Sequence, residues 1–167
     1  ELFVLKPEHF MTIANGIIEN NWDVNIWVYA RIDTVNEEHL PILKKAGFNW
    51  FALGIESGDE EVRKGVSKGR FEESDIREVV KKIQDAGIYI IGNYIFGLPD
   101  DTLESMQKTL DLAKELNCEF GNFYCATAYP GSRLYTESIE TQTQLPENWE
   151  DYSQHAYNFL PLPTKHI

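Results

Sequence analysis

Apolar positions along this chain switch repeatedly between two spacings as far as about Arg133. In residues 7–20, Phe10, Ile13, Ala14, Ile17 and Ile18 recur at helical intervals, and Pro7 sits where a first turn tolerates it. Residues 24–30 are apolar and aromatic and predict a strand. Asn36 is suited to cap a helix that opens with Glu37 and Glu38, buries Leu40, Leu43 and Ala46, and stops at Gly47. A second buried strand is predicted over 50–55. A capped helix comes next over 74–86, with Ile76, Val79, Val80 and Ile83 facing inward and Gly87 ending it. The longest strand spans 88–96, Asp101 and Thr102 start a helix reaching about Asn117, and 120–127 is a fourth strand.

Near-continuous apolar strands alternating with amphipathic helices predict an α/β fold, with parallel strands joined by right-handed crossovers and covered by outer helices. A doubly wound sheet and an arc of a (β/α) barrel both satisfy this pattern, and in both the ligand site lies at the C-terminal ends of the strands. Attention therefore falls on the residues leaving each strand: Arg31 and Asp33; Glu56 and Ser57; Asn93, Gly97 and Pro99; Thr127, Pro130 and Gly131. No repeat exceeds the βα unit. Residues 137–147 are polar and rich in Thr and Gln and predict a loop. Residues 149–163 carry Trp149, Tyr152, Tyr157 and Phe159, as either a tail lying against the sheet or the start of a further region.

Composition narrows the function. A chain of 167 residues with 43% apolar and 13% aromatic content is long enough for one buried core. A formal charge of −12 excludes a general nucleic-acid or membrane-surface binder. No apolar run approaches the ~18 residues of a membrane span. The N-terminus has no basic stretch and no initiating Met, so residue 1 is expected to lie inside a longer natural chain. Cys118 and Cys125 are the only cysteines; their spacing is not that of a metal site, and they are expected to be free thiols in a reducing, cytoplasmic compartment. The scattered histidines, His9, His39, His155 and His166, are read as non-catalytic.

Several short motifs are ordinary turns singly and specific in combination. Ala-Arg-Ile-Asp (30–33), Lys-Ala-Gly (45–47), Leu-Gly-Ile-Glu-Ser-Gly (53–58), Lys-Gly (68–69), Ala-Gly-Ile (86–88), Ile-Phe-Gly-Leu-Pro (95–99) and Pro-Gly-Ser (130–132) come one after another behind successive strands. In order and spacing they resemble the radical S-adenosylmethionine (radical SAM) superfamily. The nearest branch holds Elp3-like, methylthiotransferase and cobalamin-binding radical SAM proteins. The resemblance covers residues 1–136. The segment 151–155 with Pro161-Leu162-Pro163-Thr164 also looks like cobalamin-binding members.

The resemblance implies a partial TIM-like barrel of which this chain is the C-terminal half, with an irregular extension over 137–167. It implies S-adenosylmethionine (SAM) and a [4Fe–4S] cluster as cofactors of the parent protein, and cobalamin through an upstream domain. The superfamily's Cys-x₃-Cys-x₂-Cys cluster motif is absent, so the chain alone is expected to be inactive and to need the missing N-terminal half of the barrel as partner. By the same resemblance, the cofactor-binding positions are Tyr29 and Arg31 toward ribose or carboxylate, Glu56 toward the methionyl part, and Lys68 toward the carboxylate. Asn93 falls toward the ribose hydroxyls, Ile95 against adenine, and the backbone near Thr127 at the adenine edge. Structural readings stand beside these roles: Glu56 as an ion-pair partner of Arg31 or Lys68, Arg31 as an interior ion pair, Asn93 as a buried amide, and Lys68 as a solvated charge. A TIM-barrel lyase would need a Schiff-base Lys or metal carboxylates at a strand end, and no strand here ends in Lys. A degenerate scaffold without catalysis remains the alternative. The edge strand over 24–30 is expected to be covered or to associate with another copy.

Overall fold

The computed structural model describes residues 2–65 and 73–163. Among these, four parallel strands, β1 (Ile26–Arg31), β2 (Phe48–Glu56), β3 (Tyr89–Phe96) and β4 (Phe120–Cys125), lie side by side in chain order. Among the described residues six α-helices accompany them: α1 (Pro7–Glu19), α2 (Leu40–Lys45), α3 (Glu60–Gly65), α4 (Glu73–Asp85), α5 (Leu103–Leu116) and α6 (Arg133–Glu140). The sheet does not close on itself, and the architecture is an arc of a (β/α) barrel.

One face of the sheet is buried. Val28 and Ala30 of β1, Phe51, Leu53 and Ile55 of β2, and Ile90 and Tyr94 of β3 form a single cluster with Phe10, Ala14 and Ile17 of α1, Leu40 and Leu43 of α2, Ile76, Val80 and Ile83 of α4, and Leu112 and Leu116 of α5. These side chains are the inward positions that the 3.6-residue and 2-residue spacings select. The turn into β2 needs Gly47, which has φ +89°; a Cβ there would strike the Val24 carbonyl oxygen.

The helix predicted from Asn36 is broken in two. A 3-10 turn over Glu37–His39, whose Glu38 amide donates to the Asn36 side chain at 3.0 Å, leads into α2, where Pro41 sits in the first turn. The loop expected over 137–147 is a helix in its first part: α6 reaches Glu140, and the Ser132 hydroxyl caps it by accepting from the Tyr135 amide at 3.1 Å. The polar composition misled because α6 is largely exposed and has a thin apolar stripe. The outer edge of β1 is partly covered by the chain itself, through a parallel bridge from Leu2 to Tyr29.

A buried hydroxyl junction fixes the exit of β2 against α5. Thr109 is fully buried and donates to the Ser105 carbonyl at 3.0 Å. Its oxygen therefore accepts both the Gly58 amide at 2.9 Å and the Ser57 hydroxyl at 3.1 Å. Asp59 completes the joint: its carboxylate accepts from the Glu61 amide at the start of α3 and meets Lys108 of α5 at 3.1 Å. Burial alone would raise the Asp59 carboxyl, but Lys108 and the Val62 and Glu61 amides outweigh it and hold it below its usual range.

This packing has two measurable consequences. Thr109→Val leaves the Gly58 amide without a partner, and should cost about 2 kcal/mol and lower Tm by about 4–8 °C in a thermal melt. Burial pushes the Cys118 thiol up to about 11, so at pH 8 only about one in a thousand is thiolate. Iodoacetamide at pH 8, read by peptide mass spectrometry, should leave Cys118 unmodified in the native protein and label it once denaturant is added.

Candidate functional site

The face of the sheet away from the helices carries the chemistry. Strand register aligns its side chains in rows across the sheet. Trp27, Trp50 and Tyr89 form one row, Tyr29, Ala52, Ile91 and Phe120 the next, and Arg31, Gly54, Asn93 and Asn122 a third. Ile95 and Tyr124 extend the series toward the C-terminal tips. Such layering of side chains is how a (β/α) barrel fills its interior. Trp27, Tyr29, Tyr89 and Phe120 are about half exposed or more, because the described sheet does not close over them.

Beyond the third row the tips of β2, β3 and β4 enclose a cavity of about 640 Å³, within the range of small-molecule sites. Glu56, Ile95, Tyr124, Thr127, Arg133 and Gln154 are among its lining residues. Glu56 reaches it through a β-bulge: Gly54 pairs with Asn93 and Glu56 with Tyr94, leaving Ile55 as the extra residue. Glu56 has φ +68°, a left-handed backbone that costs a non-glycine residue about 1 kcal/mol. The carboxylate folds back over position 54, where a Cβ would stand 2.8 Å from Oε1, so a side chain there would displace the carboxylate from this position. A strained residue of this kind is a mark of sites whose surroundings hold it in place, and here the Thr109 junction begins at the next residue.

Of the seven positions singled out from the sequence, Glu56, Ile95 and Thr127 line this cavity together. Ile95 packs against Val62, Leu98, Ala126 and Leu162, and Thr127 is buried. Asn93 lies one row deeper on the same face: its Oδ1 accepts from Asn122 Nδ2 at 3.1 Å, while its own Nδ2 reaches the Leu53 and Ile91 carbonyls only at 3.5 and 3.4 Å. That amide nitrogen is weakly engaged and available to a ligand hydroxyl. Tyr29 and Arg31 lie on the β1 side of the face, outside the cavity lining. Arg31 forks onto Asp33, with Nε to Oδ1 at 2.9 Å and Nη2 to Oδ2 at 2.5 Å, so its ion pair lies at its own strand exit and is part-exposed. Lys68 lies outside the described residues.

Sequence reasoning missed Asn122, Tyr124, Arg133 and Gln154. Asn122 and Tyr124 were inside a predicted strand, but the row they join depends on register. Ser132, with the helical spacing after it, could have announced α6 and so Arg133. Nothing local marks Gln154, whose importance comes from where the tail runs.

The cavity suits SAM in size and charge. Among the described residues its lining holds the acidic Glu56, Asp100 and Glu137 and the basic Arg133, which is paired with Glu137 at 2.6 Å, a set compatible with a cationic ligand such as a sulfonium. Its apolar wall of Ile95, Leu98 and Ala126 beside strand-exit backbone suits a purine. The chain does not fit an iron–sulfur cluster. A [4Fe–4S] cluster is held by cysteine thiolates, the chain has two cysteines, and these lie before and at the end of β4, about 20 Å apart along an extended strand. Among the described residues no group of His, Cys, Asp and Glu could hold a metal ion, and no helix is long and apolar enough to cross a membrane.

Comparison with known proteins agrees with this fold. The chain is 29% identical over 153 residues to an uncharacterized methyltransferase of Pyrococcus horikoshii, covering 92% of this chain and 33% of the relative. It is 26% identical over 159 residues to bacteriochlorophyllide d C-12(1)-methyltransferase of Chlorobaculum tepidum, covering 93% and 34%. The chain thus spans about a third of the length of these curated relatives. Among solved structures, the radical SAM methyltransferase TsrM of Kitasatospora setae, with cobalamin and a [4Fe–4S] cluster bound, superposes with a TM-score of 0.74 at 21% identity, over 84% of this chain and 27% of that one. Coproporphyrinogen III oxidase of Escherichia coli, a radical SAM enzyme, superposes with a TM-score of 0.65 at 22% identity, over 84% and 37%. Residues 8–113, which run from α1 through most of α5 and contain the Glu56 bulge and Asn93, match the radical SAM superfamily itself, and it is to this superfamily that the chain belongs.

Proposed function

We propose that this chain forms the SAM-binding wall of a radical SAM methyltransferase of the cobalamin-binding branch, with the cluster thiolates supplied by residues outside it. The observation that carries this reading is the cavity at the tips of β2, β3 and β4, where Glu56, Ile95 and Thr127 meet one row beyond the Asn93–Asn122 pair. The names of the methyltransferase relatives and the cobalamin bound to TsrM support the branch. SAM, when bound, supplies the reactive methyl or adenosyl group.

The chain's own part is to hold it. Ile95 offers an apolar surface to the adenine ring, and strand-exit backbone meets its polar edge. Asn93, as both donor and acceptor, bonds ribose hydroxyls. The Glu56 carboxylate sits where it stabilises the positive methionyl ammonium or the sulfonium. Packing of Leu98, Ala126 and Leu162 around the adenine side keeps water from that wall. The rest of the barrel is expected to dock on the exposed aromatic rows and to bring the cluster; the compartment proposed is the cytoplasm, where the two thiols stay reduced.

In the full-length protein, calorimetric titration with SAM should show binding about 10-fold weaker for Asn93→Ala and for Ile95→Ala, each of which removes about one hydrogen bond or one side chain's worth of packing. Glu8→Ala, on the solvent side of α1 and away from the cavity lining, should leave binding unchanged. Anaerobic iron and sulfide reconstitution separates the two halves of the proposal. The chain by itself should develop no absorbance near ~400 nm, because three thiolates are not available. The full-length protein should develop that absorbance and form 5′-deoxyadenosine from SAM on reduction. A fully reconstituted protein that leaves SAM intact would instead be a non-catalytic scaffold.

A further inference from the structure

We infer that Gln154, in the segment beyond α6, is the positioning residue of the cavity's β4 wall, and that it makes the Thr127 hydroxyl a hydrogen-bond donor to the ligand. The inference deepens the SAM reading and rests on it for the ligand.

At the tip of β4 the Ala126 amide points toward β3 and donates to the Phe96 carbonyl at 2.8 Å. One residue earlier, alternation turns the amide and carbonyl of Cys125 to the opposite edge, where the described sheet has no further strand. The Gln154 side chain meets both groups there. The Cys125 amide donates to Gln154 Oε1 at 3.2 Å, and Gln154 Nε2 donates to the Cys125 carbonyl at 2.8 Å. A neighbouring strand would offer the same pair. The tail repeats the motif with its backbone: the Leu162 amide donates to the Ala126 carbonyl at 2.7 Å, and the Leu162 side chain packs on Val62, Leu98 and Ala126.

The backbone amide decides which end of the Gln154 amide faces which way. Oε1 must face the Cys125 N–H, so Nε2 faces the two oxygens. Its second proton goes to Thr127 Oγ1 at 3.1 Å. Because Thr127 Oγ1 accepts that bond, its own proton has two outlets: the Cys125 carbonyl, at a long 3.3 Å and already accepting from Gln154, or an acceptor in the cavity. Thr127 is buried and both residues line the cavity. The ligand atom matched to this hydroxyl is an acceptor, as a ring nitrogen of adenine is and its exocyclic amine is not.

The test titrates the full-length protein with S-adenosylhomocysteine, which is unreactive, and tracks amide hydrogen exchange at Cys125 and Ala126 in the same variants. Q154E keeps the shape and the acceptor for Cys125, but sets a carboxylate against the Cys125 carbonyl and the Thr127 hydroxyl. It should weaken binding about 10-fold or more and speed exchange at Cys125. T127V should weaken binding about 10-fold, and T127S should restore it. The double variant Q154A/T127V should bind within about 2-fold of T127V, because Gln154 acts through Thr127. A double variant that binds clearly more than about 2-fold weaker than T127V, or wild-type affinity in Q154E, overturns the inference and leaves the SAM reading standing. Wild-type protein that binds no S-adenosylhomocysteine overturns the SAM reading and, with it, the ligand role given to Thr127.

Discussion

One-sided burial of a parallel sheet is the constraint on which the rest of this structure depends. Helices α1, α2, α4 and α5 cover one face, and Phe51, Leu53, Ile55, Ile90 and Tyr94 are held there at almost no exposure. Because side chains alternate along a strand, that burial commits Trp27, Tyr29, Arg31, Asn93, Asn122 and Ile95 to the other face. A slip of one residue would send polar groups into the core and apolar ones out. The register that satisfies the core thus sets out the rows of polar and aromatic groups on the face away from the helices.

The strand tips are shaped by smaller forces acting on this frame. The β2 exit departs from regular geometry at the Glu56 bulge, a left-handed residue whose cost is offset by hydrogen bonds at the next two positions. Ser57 and Gly58 are hydrogen-bonded to buried Thr109, and the Arg63 guanidinium donates to the Ser57 carbonyl at 2.6 Å. The β4 tip is held from the other side, by a glutamine and a backbone amide of the tail. Both supports come from elements distant in sequence, and the cavity lies between them.

Membership of the radical SAM superfamily gives this geometry its chemical setting and also defines a division of labour. The chain has the strand tips, the acid-rich cavity and the open rows, and has only two thiols. In the proposed reading its part is recognition and shielding of SAM, and electron delivery would fall to residues outside it. The exposed aromatic rows, costly to leave in water, are the surface on which such residues would pack in that reading.

Much of the fold was legible in the sequence. The four strands, the parallel arrangement and helices α1, α4 and α5 all lay in the spacing of apolar residues, with Gly47 and Gly87 marking helix ends, because burial imposes period 2 on strands and 3.6 on helices. Glu56 was singled out as a residue leaving its strand and by the motif at 53–58, and the structure sets it at a bulge with a left-handed backbone. Other features were not legible. Helix α6 has too thin an apolar stripe to stand out, and α3 is a short turn after a capping Asp59. What residue types and periodicity determined was which segments pair with the core and which residues leave the strands. Tertiary structure alone decided that Asn93 joins Asn122 and that Gln154 closes on Thr127. Those contacts depend on register and chain path, and neither leaves a mark on local sequence.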